Sequence, residues 1–183
     1  MGLGEGVARL LVLLLALWGA GCASETVGPQ APARPSSTGV AGIIPPSLPR
    51  PLTCVPYARL VSGIALYGDA WTWWHGSEGS YARGSEPRAG VVLVWRRTDR
   101  LQRGHLAVVT QVVGPREIKV SHANWGSDAR TRHQVREDVP VIDASSDNTW
   151  QEVRVWNDEA GVYGAIYPAY GFVYPDRIVA SSN

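Results

Sequence analysis

The chain has 183 residues, of which 45% are hydrophobic and 18% are charged, and its formal net charge is +1. This length and composition suit one globular domain with an appended segment. A nearly neutral chain offers no electrostatic basis for holding nucleic acid or an anionic membrane surface, so we expect neither as a partner.

The first segment has the features of an export signal. Arg9 precedes an apolar core from Leu10 to Trp18, and small residues surround Cys22. This core is too short to cross a bilayer, which needs about 20 apolar residues. Two cleavage sites remain open: a lipoprotein-type site that makes Cys22 the lipidated first residue, and an ordinary site after Ala23. We favour lipidation, with residues 1–21 as the signal peptide. The protein is then exported to the periplasm and anchored to the outer membrane through its lipid.

The next segment, residues 22–51, is rich in proline, alanine and serine. Seven of the thirteen prolines of the chain lie between Pro29 and Pro51. Such a composition buries too little apolar surface to offset the entropy lost on ordering, so we predict a flexible tether. The folded domain is then predicted to span residues 52–183.

The domain opens with a predicted helix from Cys54 to about Leu66, which ends before a Tyr-Gly-Asp sequence. Residues at spacings of four, three and four share one face of this helix: Cys54, Ala58, Val61 and Ala65. Their small size allows a close approach to a sheet. The pattern therefore places Cys54 at or next to a helix N-terminus.

Strand-like segments follow the helix, with apolar and β-branched residues between turn signals. They are residues 91–95, 105–113, 117–125, 151–156 and 170–174. Gly114, Pro115 and Arg116 separate two of them and predict a hairpin. One helix followed by about five antiparallel strands predicts an α+β fold.

The predicted hairpin gathers polar side chains at one end of the sheet. Pairing of residues 113 and 117 would place His105 opposite Trp125, and a shift of one residue would place it opposite Asn124. With that shift, His122 becomes the diagonal neighbour of His105, at about 7–8 Å. The register stays open, but the candidate group is His105, His122 and Asn124.

Cys54 has three possible roles: half of a disulfide with Cys22, a buried small side chain, or a nucleophile. A thiol nucleophile needs a base, and the base needs a group that fixes its tautomer. Cys54 as nucleophile, His105 as base, and Asn124 or His122 as the orienting group meet these needs, in the chain order of papain-like enzymes. No pair of close-spaced metal ligands is present, so we predict neither a metal nor a cofactor.

Four segments of the sequence read CVPYAR, EPRAGVVLVW, GHLAVV and HANW. Together they resemble the CHAP domain family of cysteine- and histidine-dependent amidohydrolases and peptidases. The resemblance implies a papain-like α+β fold, with the helix that carries Cys54 packed on an antiparallel sheet of about five or six strands. It also implies Cys54 as nucleophile and His105 as base. His122 stands where the family usually has an acidic residue, although the related NlpC/P60 group often has histidine there, and Thr53 stands where many members have glutamine.

The resemblance implies hydrolysis of an amide through an acyl-thioester. In an exported bacterial protein the substrate would be peptidoglycan, cleaved by an N-acetylmuramoyl-L-alanine amidase or an endopeptidase activity. Trp125 and Trp74 are candidate substrate-binding residues, whereas His75 and His133 fit solvated loops. We expect a monomer. The alternative is a non-catalytic module on the same fold that binds the cell wall or acts as an envelope scaffold.

Overall fold

The computed structural model describes residues 52–126, 128 and 131–177. This part of the chain contains two short α-helices, a 3-10 turn at Ala70–Thr72, and seven strands. The helices are α1 (Cys54–Ser62) and α2 (Trp73–Gly76), and the strands are β1 (Tyr81–Gly84), β2 (Val92–Trp95), β3 (His105–Gly114), β4 (Glu117–Ala123), β5 (Val135–Asp143), β6 (Glu152–Asn157) and β7 (Val162–Arg177).

The strands close into an antiparallel barrel, so the predicted α+β papain-like class is wrong. The sheet order is β1-β7-β2-β3-β4-β5-β6, and β6 pairs back onto β7, which makes six strands a closed ring. Strands hold 46% of the described residues and helices 13%. The closing pair could not be read from the sequence, because it uses the first half of β7, where Gly164 and Pro168 interrupt any strand pattern.

Two apolar layers lie on opposite faces of the sheet. The inner layer fills the barrel and includes Leu93, Ala107, Val120 and Phe172. The outer layer, which includes Ala58, Trp73, Val94 and Leu106, lies between the sheet and the helical segments. Neighbouring residues of β2 and β3 fall into different layers because strand side chains alternate between faces. Helix α1 covers β3 and β4.

Irregular pairing in the β3–β4 hairpin decides which polar residues meet. Two shifts between the turn and the middle of the hairpin leave Val108 paired with Ser121. Continued to the start of β3, this register puts His105 opposite Asn124 and His122 on the diagonal. Of the two predicted registers, the structure therefore has the one that is shifted by one residue.

The individual elements differ from their predicted bounds in four places. Helix α1 ends at Ser62 rather than near Leu66, because Gly63 adopts the left-handed conformation with φ of 74° and its N–H bonds to the Arg59 carbonyl at 3.0 Å. Strands β1 and β5 were not predicted, and β7 is much longer than the predicted residues 170–174. In β5, charged residues and Pro140 disguise the alternation of buried Val139, Val141 and Asp143.

The export signal, the tether and Cys22 lie outside the described residues, so residues 1–21 and 22–51 keep their predicted roles as predictions only. The domain bounds at 52–183 also remain a prediction. Within the part of the chain that the structure describes, no helix has the length and apolar character needed to span a membrane.

Candidate active site

Cys54 is the first residue of α1 and is half-buried. The preceding Thr53 is extended, with φ of −112° and ψ of 170°, so the chain enters the helix at the cysteine itself. Tyr57 and Ala58 are the buried residues of the helix, and they hold its first turn against the sheet. Cys54 packs on the outer layer that contains Leu106, whereas the side chain of His105, the residue before Leu106, faces the inner layer, so the structure places the thiol and the imidazole on opposite faces of β3.

The pKa of the Cys54 thiol is raised. Burial is the largest cause and outweighs hydrogen bonds from the backbone at Leu106, at Val55 and at Cys54 itself, which lower the pKa. The negative charge of Asp69 raises it further. A helix N-terminus favours the thiolate, but desolvation is stronger here. The free protein therefore holds Cys54 as a neutral thiol at neutral pH.

His105 begins β3 directly after Gly104, where the chain turns with φ of +65°. A Cβ at Gly104 would lie 2.8 Å from both the Trp71 nitrogen and the Trp95 carbonyl oxygen, so only glycine fits between these two backbones. Trp95 is the pairing partner of His105 on β2. The tight approach fixes where β3 starts, and hence the position of the imidazole on the inner face of the sheet.

His105 and His122 form a buried hydrogen-bonded pair. Nε2 of His105 lies 3.1 Å from Nδ1 of His122, and the side chains are 3% and 0% exposed. Burial, followed by the neighbouring His122, holds the pKa of His105 well below its usual range. Burial, followed by Arg136, lowers the pKa of His122 to about 3. Both rings are therefore neutral at pH 7, and one ring nitrogen donates to the other.

Aromatic rings enclose this pair. Trp125 lies 4.7 Å from His105 and stacks on His122 at 5.6 Å, measured between ring centroids. Trp95 contacts the edge of His105 at 5.4 Å, and Tyr167 contacts Trp125 at 5.2 Å. These rings exclude water from the imidazoles, which is the cause of their lowered pKa values.

Asn124, the other candidate orienting residue, is directed elsewhere. Its backbone is left-handed, with φ of 62°. Its side-chain oxygen accepts a hydrogen bond of 3.1 Å from the His133 N–H. Asn124 therefore stabilises the segment between β4 and β5, and His122 is the residue that hydrogen-bonds His105.

The remaining candidates divide between this centre and a second area. Trp125 lies against the histidines, as stated above, whereas Trp74 stacks on Tyr170 at 5.7 Å on the outer layer. Among the residues that the structure describes, no group of three or more His, Cys, Asp or Glu is arranged to hold a metal ion. Sequence reasoning did not identify Trp95 and Tyr167 as neighbours of the histidine pair. Trp95 alone carried a signal, because it is the last residue of a buried strand.

Comparison with known proteins gives a family for this arrangement. No curated protein matches the chain. The model of the CHAP domain matches residues 47–124, a segment that contains Cys54, His105, His122 and Asn124. Domains of this kind are generally hydrolases related to amidases and peptidases, with functions connected to peptidoglycan. The resemblance seen in the motifs is thereby confirmed: residues 47–124 match the model of the CHAP domain family.

Proposed function

We propose that this protein is a cysteine hydrolase that cleaves an amide bond of peptidoglycan, as an N-acetylmuramoyl-L-alanine amidase or an endopeptidase. Cys54 is the nucleophile, His105 the base and His122 the residue that orients it. The observation that carries the proposal is the buried hydrogen bond between His105 and His122, and the Cys54 thiol lies on the other face of the same strand, where the backbone of Leu106 hydrogen-bonds to it.

The first half of the reaction starts from neutral groups. For the reaction, the His105 imidazole has to turn from the inner face of β3 toward the thiol on the outer face. The Cys54 sulfur then bonds to the substrate carbonyl carbon as His105 takes the thiol proton, because neither group is charged in the free protein. The backbone N–H of Cys54 at the helix start is the candidate donor to the developing oxyanion. His105 then gives its proton to the amine, the C–N bond breaks, and an acyl-thioester remains.

The second half of the reaction uses the same base. With its ring turned out from the enclosing aromatic side chains, as in the first half, His105 removes a proton from water, the water oxygen bonds to the thioester carbonyl, and the C–S bond breaks. The proton returns to the sulfur, so that the acid is released and Cys54 is regenerated. In the free protein, Nδ1 of His122 accepts from Nε2–H of His105 and leaves Nδ1 of His105 available as base.

The test is the release of soluble muropeptides from purified sacculi by the full chain. Wild type should release them, and Cys54→Ala should reduce release to background. Cys22→Ala is the matched control, since it removes the other cysteine of the chain and should keep activity. Mass spectrometry of the products identifies the bond that is cleaved. Equal release by wild type and Cys54→Ala would refute the role of Cys54.

One observation favours a second candidate, a non-catalytic module that binds the cell wall. A thiol with a raised pKa and two neutral, enclosed histidines are also compatible with a domain that performs no chemistry. Such a module would bind sacculi with wild-type affinity and release nothing from them. The release assay together with a binding measurement separates the two functions.

We also propose that the protein is a monomer that is exported and held at the outer membrane by a lipid on Cys22. The support is the short apolar core followed by small residues around this cysteine. Intact-mass measurement of the mature protein should show added acyl chains. A loss of two hydrogens would instead reveal a disulfide between Cys22 and Cys54 and would refute both roles.

A further inference from the structure

Four side chains form a stack on the outer layer of the barrel, separate from the histidine pair. The rings of Trp74 and Tyr170 are 5.7 Å apart and within 9° of parallel. The guanidinium carbon of Arg83 lies 5.3 Å from the Trp74 ring centre, and that of Arg96 lies 4.5 Å from the Tyr170 ring centre. We refer to Arg83, Trp74, Tyr170 and Arg96 as the cationic stack.

Hydrogen bonds orient the two guanidinium groups, but no carboxylate of the described residues neutralises their positive charge. Arg83 donates to the Trp74 carbonyl oxygen at 2.8 Å, and Arg96 donates to the Ala169 carbonyl oxygen at 2.9 Å. No carboxylate of the described residues pairs with either group within 4.0 Å. An arginine has five N–H donors, so most donors of both groups remain for a ligand. Each side chain is half-buried, which limits the entropy lost on binding.

The stack lies on the same side of the sheet as the candidate nucleophile. Tyr170 occupies an irregularity of β7 between Ala169, which pairs with Trp95, and Gly171, which pairs with Val94. On β3, the residues in register with these two positions of β2 are His105 and Leu106. Two strand spacings separate β7 from β3, a distance of about 10 Å. Tyr170 and Cys54 both pack on the outer layer, so the stack and the thiol lie on the same side of the sheet.

We propose that the cationic stack binds a carboxylate of the substrate, on the same side of the sheet as the thiol of Cys54. The inference rests on the proposed function, because the stem peptides of peptidoglycan supply the carboxylates. A planar guanidinium fits a carboxylate with two parallel hydrogen bonds. The aromatic rings already contact each other and the two arginines, so they act as supports for the guanidinium groups rather than as open platforms for a sugar.

The test measures binding of the full chain carrying Cys54→Ala to intact sacculi. Arg83→Gln with Arg96→Gln should weaken binding about tenfold or more, which corresponds to about 1.4 kcal/mol. The matched control is Arg97→Gln with Arg100→Gln, which removes the same charge from two exposed arginines nearby and should change binding less than about twofold. Equal losses in the two double variants would overturn the proposal, since they would indicate a general charge effect.

A second measurement needs no change to the stack. Sacculi whose carboxylates have been converted to amides should bind the Cys54→Ala protein about tenfold more weakly than untreated sacculi. Unchanged binding after amidation, or no binding to either preparation, would overturn the proposal. Neither measurement depends on catalysis.

The two proposals can fail separately. If the stack variants weaken binding but wild type releases no muropeptides, the proposed function alone is refuted. If wild type releases muropeptides but the stack variants leave binding unchanged, this inference alone is refuted.

Discussion

His122 gives the candidate site an unusual orienting group, because a neutral imidazole stands where an anion would stabilise a charged base. Its Nδ1 contacts His105, while its Nε2 is buried and has no hydrogen-bond partner among the described residues. Arg136, which pairs with His122 across β4 and β5, adds positive charge nearby. An imidazolium at His105 is therefore disfavoured, and proton transfer is expected to accompany attack by the thiol rather than to precede it.

At the scale of single residues, we expect His122→Ala to lower kcat/KM at least about tenfold. His122→Asn should recover part of this loss, because an amide oxygen also accepts from Nε2–H of His105. If His122 had only a structural role, the folded His122→Ala and His122→Asn proteins would have the same kcat/KM. The pH profile of Cys54 alkylation supplies a second readout, which His122→Ala should shift.

Asn124→Ala is the matched comparison for the His122 variants. Its side chain accepts from the His133 N–H rather than from His105, so activity per folded molecule should change less than about threefold. A larger loss from Asn124→Ala than from His122→Ala would reverse the assignment. The sequence could select the candidate group of His105, His122 and Asn124. It could not choose within the group, because the choice depends on pairing shifts in β3 that no residue type marks.

At the scale of elements, one buried hydrogen bond joins α1 to the strand that carries His122. The Tyr57 hydroxyl bonds to the Ser121 hydroxyl, and Ser121 also contacts the Arg136 carbonyl oxygen at 3.3 Å. Tyr57 is 1% exposed. This link holds the helix start and β4 in a fixed relation, and with them the thiol and the histidine pair.

We expect Tyr57→Phe to lower the free energy of unfolding by about 1 kcal/mol, the usual worth of such a hydrogen bond. Urea unfolding should show a lower midpoint at an unchanged slope. Tyr67→Phe is the control: its hydroxyl bonds to Arg59 at 2.6 Å, but the ring is 69% exposed, so the midpoint should hardly move. In a double-mutant cycle that combines Tyr57→Phe with Ser121→Ala, additive changes in the free energy of unfolding would disprove a coupling between Tyr57 and Ser121.

The elements also show which parts of the fold can be read from sequence. β2, β3 and β4 lie close to their predicted bounds, because their buried residues form clear apolar patterns. β5 and the first half of β7 are barrel strands with many exposed positions, which leaves too few apolar residues to mark them. Recognition of one helix and five strands therefore led to an α+β arrangement instead of a closed barrel.

At the scale of the whole molecule, the closed barrel keeps two neutral histidines away from water, and this makes folding sensitive to acid. In the unfolded chain both histidines bind protons below about pH 6.5. In the folded protein the pKa of His122 is about 3 and that of His105 is well below its usual range. The stabilising contribution is complete above pH 6.5 and is lost as pH falls toward the folded-state pKa values.

We therefore expect the free energy of unfolding to fall between pH 6.5 and pH 4, by up to about 1.4 kcal/mol per pH unit for each histidine. His122→Asn should make this dependence shallower, whatever its effect on stability at pH 7. His75→Asn is the control, since His75 is exposed and should leave the slope unchanged. Urea unfolding at several pH values provides the measurement, and parallel curves for wild type and His122→Asn would contradict the prediction.

The position of β7 in the ring has a consequence for the order in which the molecule can be assembled. This strand pairs with β1, β2 and β6, and it follows all of them along the chain. A nascent chain that has reached only Asn157 contains Cys54, His105 and His122 but lacks the strand that joins the two sides of the barrel. Because contacts between distant segments form late, the enclosed histidine pair is completed only after synthesis passes β7. A partly made chain would thus carry all three residues without the enclosed arrangement that would make them a catalytic site.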